Sequence, residues 1–75
     1  MDRITVREAI LEVLREKPYW WWFKSEIARV VQKRFWGVAR NQETIFRELR
    51  RLVEEGLVER EGSGRKTQYR LKEGA

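Results

Sequence analysis

Residues 44–60 read TIFRELRRLVEEGLVER. Ile45, Leu49, Leu52 and Val53 recur at the three- and four-residue spacing of a helix with one apolar face, and Phe46 flanks them. Gly56 follows that stripe, where helices commonly stop in the left-handed conformation. Upstream stands Asn41, whose side chain can accept from the free N–H groups of a helix start. The pattern predicts a helix over 42–55. Beyond Gly56 the period changes. Two β-prone runs surround Gly62-Ser63-Gly64, which predicts a hairpin over 57–71. Tyr69 and Leu71, two apart, share one face of it, and Val58 can meet them from the other strand.

Toward the N-terminus, Ile27, Val30, Val31 and Phe35 form another helical face and predict a second helix over 24–35, with Gly37 suited to a left-handed stop. Thr5-Val6-Arg7-Glu8 has the form of a capping box, and Ile4 can staple onto Ala9. Val6, Ala9, Ile10, Val13 and Leu14 continue a first helix over 5–16, which Pro18 ends by disfavouring helix at Lys17. Between these helices lies YWWWF, residues 19–23. The run is β-prone and too short for a helix, so it predicts a short strand. Alternation turns Tyr19, Trp21 and Phe23 one way and Trp20 and Trp22 the other. One set closes the core; the other meets solvent or a partner.

At 75 residues, the chain fits one small domain, 1–75, with a limited core. It has no cysteine and no histidine, which removes disulfides, thiolate metal sites, the usual general base and the commonest metal ligand. An enzyme is not expected, nor a cofactor, and no small-molecule ligand is evident. No stretch is apolar enough to span a bilayer and no signal peptide is visible, so a cytoplasmic protein without a membrane partner is expected. Seventeen basic residues against twelve acidic ones give +5, which favours anionic partners, nucleic acid first. The charge is uneven: −1 over residues 1–16, +4 over 17–39 and +2 over 40–75. The abundance of charge, Arg over Lys, suits a thermophile.

The order helix, short strand, helix, turn, helix, hairpin resembles the winged helix-turn-helix domain, an α+β fold. Thr44, Ile45, Arg47, Leu49, Leu52, Gly56, Leu57 and Val58 stand in register with the run that small winged-helix regulators carry. SEIARVV resembles the first helix of their helix-turn-helix, and EREGSGRKTQYRL resembles their wing. The likeness extends to compact archaeal and archaeal-virus regulators and to ArsR- or PadR-like repressors. Two features depart from it. The Trp36–Asn41 connection is longer than the family's tight turn, and the sequence given stops after the wing, without the added helix through which some relatives dimerise.

The resemblance implies a transcriptional regulator binding double-stranded DNA with the third helix in the major groove. Arg40, Asn41, Gln42, Glu43, Thr44 and Arg47 then read bases; Arg can grip guanine, and Asn or Gln can pair with adenine. Gln42 lies closer to the core side of the helical wheel. Lys24, Ser25, Arg29, Arg50, Arg51, Arg65 and Lys66 would hold phosphates. Blander readings stand beside these. The helix face can be merely solvated, with Glu43–Arg47 and Glu54–Arg50 pairs. Ser25 can merely cap its helix, and Arg65 and Lys66 can merely guard a strand edge. Trp20, Trp22 and Trp36 are the expected contact of a homodimer or another protein. Alternatively the rings pack within the chain or stack on single-stranded bases. The rival function is a winged helix used as a protein-interaction module through YWWWF.

Overall fold

The computed structural model describes residues 4–72, so the expected span 1–75 runs past it at both ends. Three helices, α1 (Val6–Glu16), α2 (Lys24–Arg34) and α3 (Gln42–Glu54), are joined to three strands, β1 (Trp22–Phe23), β2 (Val58–Glu61) and β3 (Gln68–Leu71). The strands form one antiparallel sheet in the order β1-β3-β2.

Local chemistry sets the helix ends. The Thr5 hydroxyl accepts from the Glu8 N–H at 3.1 Å, and the Glu8 carboxylate accepts from the Thr5 N–H at 3.0 Å. This reciprocal pair satisfies donors that would otherwise be orphaned at the start of α1. Asn41 Oδ1 accepts from the Glu43 N–H at 2.8 Å and starts α3. At its other end Gly56 is left-handed, with φ +83°. The Gly56 N–H donates to Val53 and the Leu57 N–H to Leu52, a Schellman closure that turns the chain directly into β2.

Helix α2 departs from expectation at both ends. Its cap is Phe23, whose backbone N–H donates to the Glu26 carboxylate at 2.9 Å. Ser25 lies inside the first turn, so the capping role considered for it does not hold. Nor is Gly37 a left-handed stop; the described residues with positive φ are Gly56, Gly62 and Gly64. The Phe35 carbonyl instead accepts from both Val38 and Ala39, at 2.8 and 2.9 Å, and that turn ends the helix.

The strand expected over 19–23 shrinks to Trp22–Phe23. The Trp20 N–H donates to the Lys17 carbonyl at 3.0 Å, so the residues after α1 form a turn and cannot alternate. Trp20 and Trp22, expected on one side, therefore part company: Trp20 is 51% exposed and Trp22 8%. Trp22 pairs with Tyr69 and closes the sheet side of the core. Trp21 is half-buried, with the Arg70 guanidinium 4.4 Å from its ring centroid, and Arg70 also bonds Glu59 across the strands at 2.6 Å. That stack leaves little of Trp21 for a partner.

The core lies between the helices and one face of the sheet. Ile10, Leu14, Ile27, Val31, Ile45, Leu49, Leu52 and Val58 are buried. Helix α1 packs on both α2 and α3. Val58 lies opposite Leu71 and Arg60 opposite Tyr69, which fixes the register of the hairpin. Its connection is broader than a tight turn: a 3₁₀ turn, Gly64–Lys66, stands between the strands. Gly62 has φ +89°, and a Cβ there would lie 2.6 Å from the Lys66 carbonyl oxygen. Gly62→Ala is expected to distort this tip and lower the melting temperature, because both the left-handed backbone and the backbone contact exclude a side chain. An unchanged melting curve would refute that account of the tip.

Two carboxylates tie α1 into this frame and make stability depend on acid. Backbone and side-chain hydrogen bonds from Thr5 hold Glu8 below the ordinary glutamate pKa of 4.5. The guanidinium of Arg7 does the same to Glu55, joining the start of α1 to the end of α3. A depressed folded pKa contributes stability that is present above the unfolded value and lost as pH falls through the folded one. Thermal melts should therefore hold from neutrality to about pH 5 and fall below it. The Glu8→Gln/Glu55→Gln double variant should melt lower at neutral pH with a flatter acid limb.

Candidate nucleic-acid interface

The outer face of α3 is set by its buried stripe of Ile45, Leu49 and Leu52. Opposite it, Glu43, Arg47, Arg50, Arg51 and Glu54 are exposed. Arg40, Asn41 and Gln42 are exposed at the start of the helix, and Thr44 is half-buried. Gln42, which the wheel puts nearer the core, reaches solvent because it precedes the first packed turn. The Gln32 side-chain amide donates to the Arg40 carbonyl at 3.0 Å, which anchors the connection from α2 and fixes where α3 begins. The Asn41 side-chain oxygen is engaged in capping; its NH₂ is the group left to donate outward.

Both signs of charge stand on this surface, yet few of its charges pair. Among the described residues neither Glu43–Arg47 nor Glu54–Arg50 forms an ion pair; Arg51 lies 3.8 Å from Glu48. The closer pairs lie elsewhere: Arg7–Glu55, Arg34–Glu16, Arg70–Glu59 and, at 3.7 Å, Arg15–Glu12. Arg40, Arg47 and Arg50 thus point their guanidinium groups at water without a carboxylate partner among the described residues. Exposed pairs stabilise a fold little, so leaving these three unpaired costs the fold almost nothing.

The other candidates flank that face. Lys24 lies in the first turn of α2, its Nζ 4.9 Å from the Phe46 ring centroid, so it leans onto α3. Ser25 and Arg29 are exposed on α2. Arg65 and Lys66 sit in the 3₁₀ turn at the hairpin tip, also exposed, and the Thr67 hydroxyl donates to the Gly64 carbonyl at 2.9 Å beneath them. A shallow notch brings Lys24 and Ser25 together with Arg65 and the exposed ring of Phe23. A larger groove runs between α3 and the hairpin, with Arg50 and Arg60 on it. Sequence reading named Arg50 but missed Arg60. The register signal was present for Arg60, which lies opposite Tyr69 and shares its face.

The aromatic candidates divide. Trp22 is withdrawn as a contact residue because it is core. Trp36 is 58% exposed in the connection before α3, and Tyr19 is 84% exposed beside Trp20. Lys17 Nζ lies 5.2 Å from the Trp20 ring centroid.

Comparison with solved structures finds the ferric uptake regulator of Francisella tularensis, solved with iron, at a TM-score of 0.79 and 16% identity. The fold is a winged helix. The alignment takes in all of this chain and 56% of that one, so this winged helix spans little more than half of its neighbour's length. At that identity the likeness concerns the fold alone. No family model matches the sequence, and no curated protein matches it. In this winged helix no group of three His, Cys, Asp or Glu among the described residues is arranged to hold a metal ion. None of its described helices is long and apolar enough to cross a membrane.

Proposed function

We propose that this winged helix is a sequence-specific double-stranded DNA-binding protein and a transcriptional regulator, of the kind its sequence resembles among small archaeal, archaeal-virus, ArsR-like and PadR-like regulators. The supporting observation is that Arg40, Arg47 and Arg50 on and before α3 have no ion-pair partner among the described residues, while Arg7, Arg34 and Arg70 are closely paired with carboxylates. Helix α3 enters the major groove. Arg40, Asn41, Gln42, Glu43, Thr44 and Arg47 meet base edges there, Arg through bidentate bonds to guanine and Gln through adenine. Lys24, Ser25, Arg29, Arg50, Arg51, Arg65 and Lys66 hold phosphates, with Arg65 and Lys66 reaching the neighbouring backbone from the wing. The work is binding rather than catalysis, requires no cofactor, and takes place in the cytoplasm. The neighbour is itself named a regulator, which agrees with this reading. The abundance of charge, Arg over Lys, and the absence of cysteine fit a thermophilic source.

Fluorescence anisotropy with a labelled random-sequence duplex tests the reading. Six cations on phosphates, each releasing about 0.9 of a counterion, give a slope of log affinity against log salt of about −5. Micromolar binding with that slope is expected. No binding at low salt would sink the proposal.

A second reading is favoured by the exposed rings of Tyr19, Trp20, Phe23 and Trp36. In it this surface is a protein contact, a second copy of the chain first. Trp20→Ser with Trp36→Ser should then turn a dimer into a monomer in light scattering while duplex affinity per protomer persists. A wild-type chain that is monomeric at high concentration would remove the homodimer.

A further inference from the structure

We infer that the groove between α3 and the wing is a binding site for a hydrophobic carboxylate. Its open volume is about 660 Å³, within the range of small-molecule sites. Phe46, Val53 and Tyr69, all half-buried, contribute apolar surface to it, with the buried Leu49 beneath. Lys24, Arg50 and Arg60 also line it, and none has an ion-pair partner among the described residues. Glu54 is the acid among the lining residues and disfavours a second negative charge on the ligand. Apolar surface beside unneutralised cations suits a ligand with one apolar body and one anionic head. A bare phosphate would leave the apolar surface wet. A neutral apolar molecule would leave the cations without a counter-charge.

The pieces come from three parts of the chain. Lys24 opens α2, the apolar surface belongs mainly to α3, and Arg60 and Tyr69 face each other across the wing. Lys24 and Arg50 are shared with the phosphate contacts proposed above. A ligand held on them and a duplex therefore exclude each other, and this consequence alone rests on the DNA reading.

The test is isothermal titration with 4-phenylbutyrate, without DNA, against its neutral amide. One saturable site is expected, with the amide weaker by about tenfold, the usual worth of a hydrogen bond to a charged group. Arg60→Gln should weaken the carboxylate by a similar factor, and Val53→Asn should weaken carboxylate and amide alike, with thermal melts verifying that both variants fold. No saturable heat at millimolar ligand, or equal affinity for acid and amide, would overturn the site. A second titration adds the carboxylate to the labelled duplex complex. Release of the duplex supports mutual exclusion, and a ternary complex contradicts it. Should the protein bind no duplex at all, the first titration still decides the site.

Discussion

Arg47→Glu together with Arg50→Glu is expected to reduce duplex affinity by roughly a hundredfold or more, since a bidentate base contact at Arg47 is worth about 1–3 kcal/mol and losing the phosphate contact at Arg50 weakens binding to every sequence. The residues occupy the exposed side of α3 and make no ion pair among the described residues. Reversing them removes two attractions and adds two repulsions against the polyanion. Stability should move little, because exposed substitutions away from caps and core usually stay within about 0.5 kcal/mol. Anisotropy titrations and thermal melts on one preparation separate the two effects. Lost binding with an unchanged melt assigns the arginines to the interface. Retained binding would move the interface away from α3. The same pair should spare any partner that docks through Trp20 and Trp36, which separates the two functional readings.

Trp22→Ala carries the largest expected cost in stability. Truncating a buried aromatic costs about 3–5 kcal/mol, against a typical total of about 5–15 kcal/mol for a whole domain. In a chain of 75 residues that change should leave much of the population unfolded at room temperature. Trp22→Phe is expected to be far milder. The Trp22 indole N–H is buried without a hydrogen-bond partner, so phenylalanine gives up volume but also removes an unsatisfied donor. Trp20→Ala, half exposed on the turn, should leave the melt nearly unchanged. Chemical denaturation of the three variants checks this order. Equal losses at positions 20 and 22 would contradict the division of the aromatic run.

Much of the fold was legible because its signals are local. Thr5 and Glu8 cap each other within one turn, Asn41 caps the next N–H groups in sequence, and Gly56 alone supplies the left-handed residue that a Schellman closure needs. The stripe of Ile45, Leu49 and Leu52 announced α3 and, by opposition, its charged face. What failed lies in local turns that residue type does not announce and in contacts between distant segments. Strand alternation was applied across YWWWF, but the Trp20 N–H bonds back to Lys17, and only Trp22 and Phe23 find partners on β3. Gly37 was read as a stop by residue type, while the actual stop is a shared carbonyl at Phe35. The intrahelical Glu–Arg pairs weighed for α3 are allowed by spacing; the structure pairs Arg51 with Glu48, and Arg7 of α1 with Glu55. The groove beside the wing could not be read at all, since Lys24, Val53 and Arg60 meet only once helix and hairpin are packed.

An amide-resolved NMR titration of the folded protein with a short duplex tests the central claim most directly, because it reports which face binds. The account predicts that the largest shifts fall on residues 40–51, on the first turn of α2 and on Arg65 and Lys66, and that they fade as salt rises. Shifts confined to Tyr19, Trp20 and Trp36, or none at low salt, would contradict it.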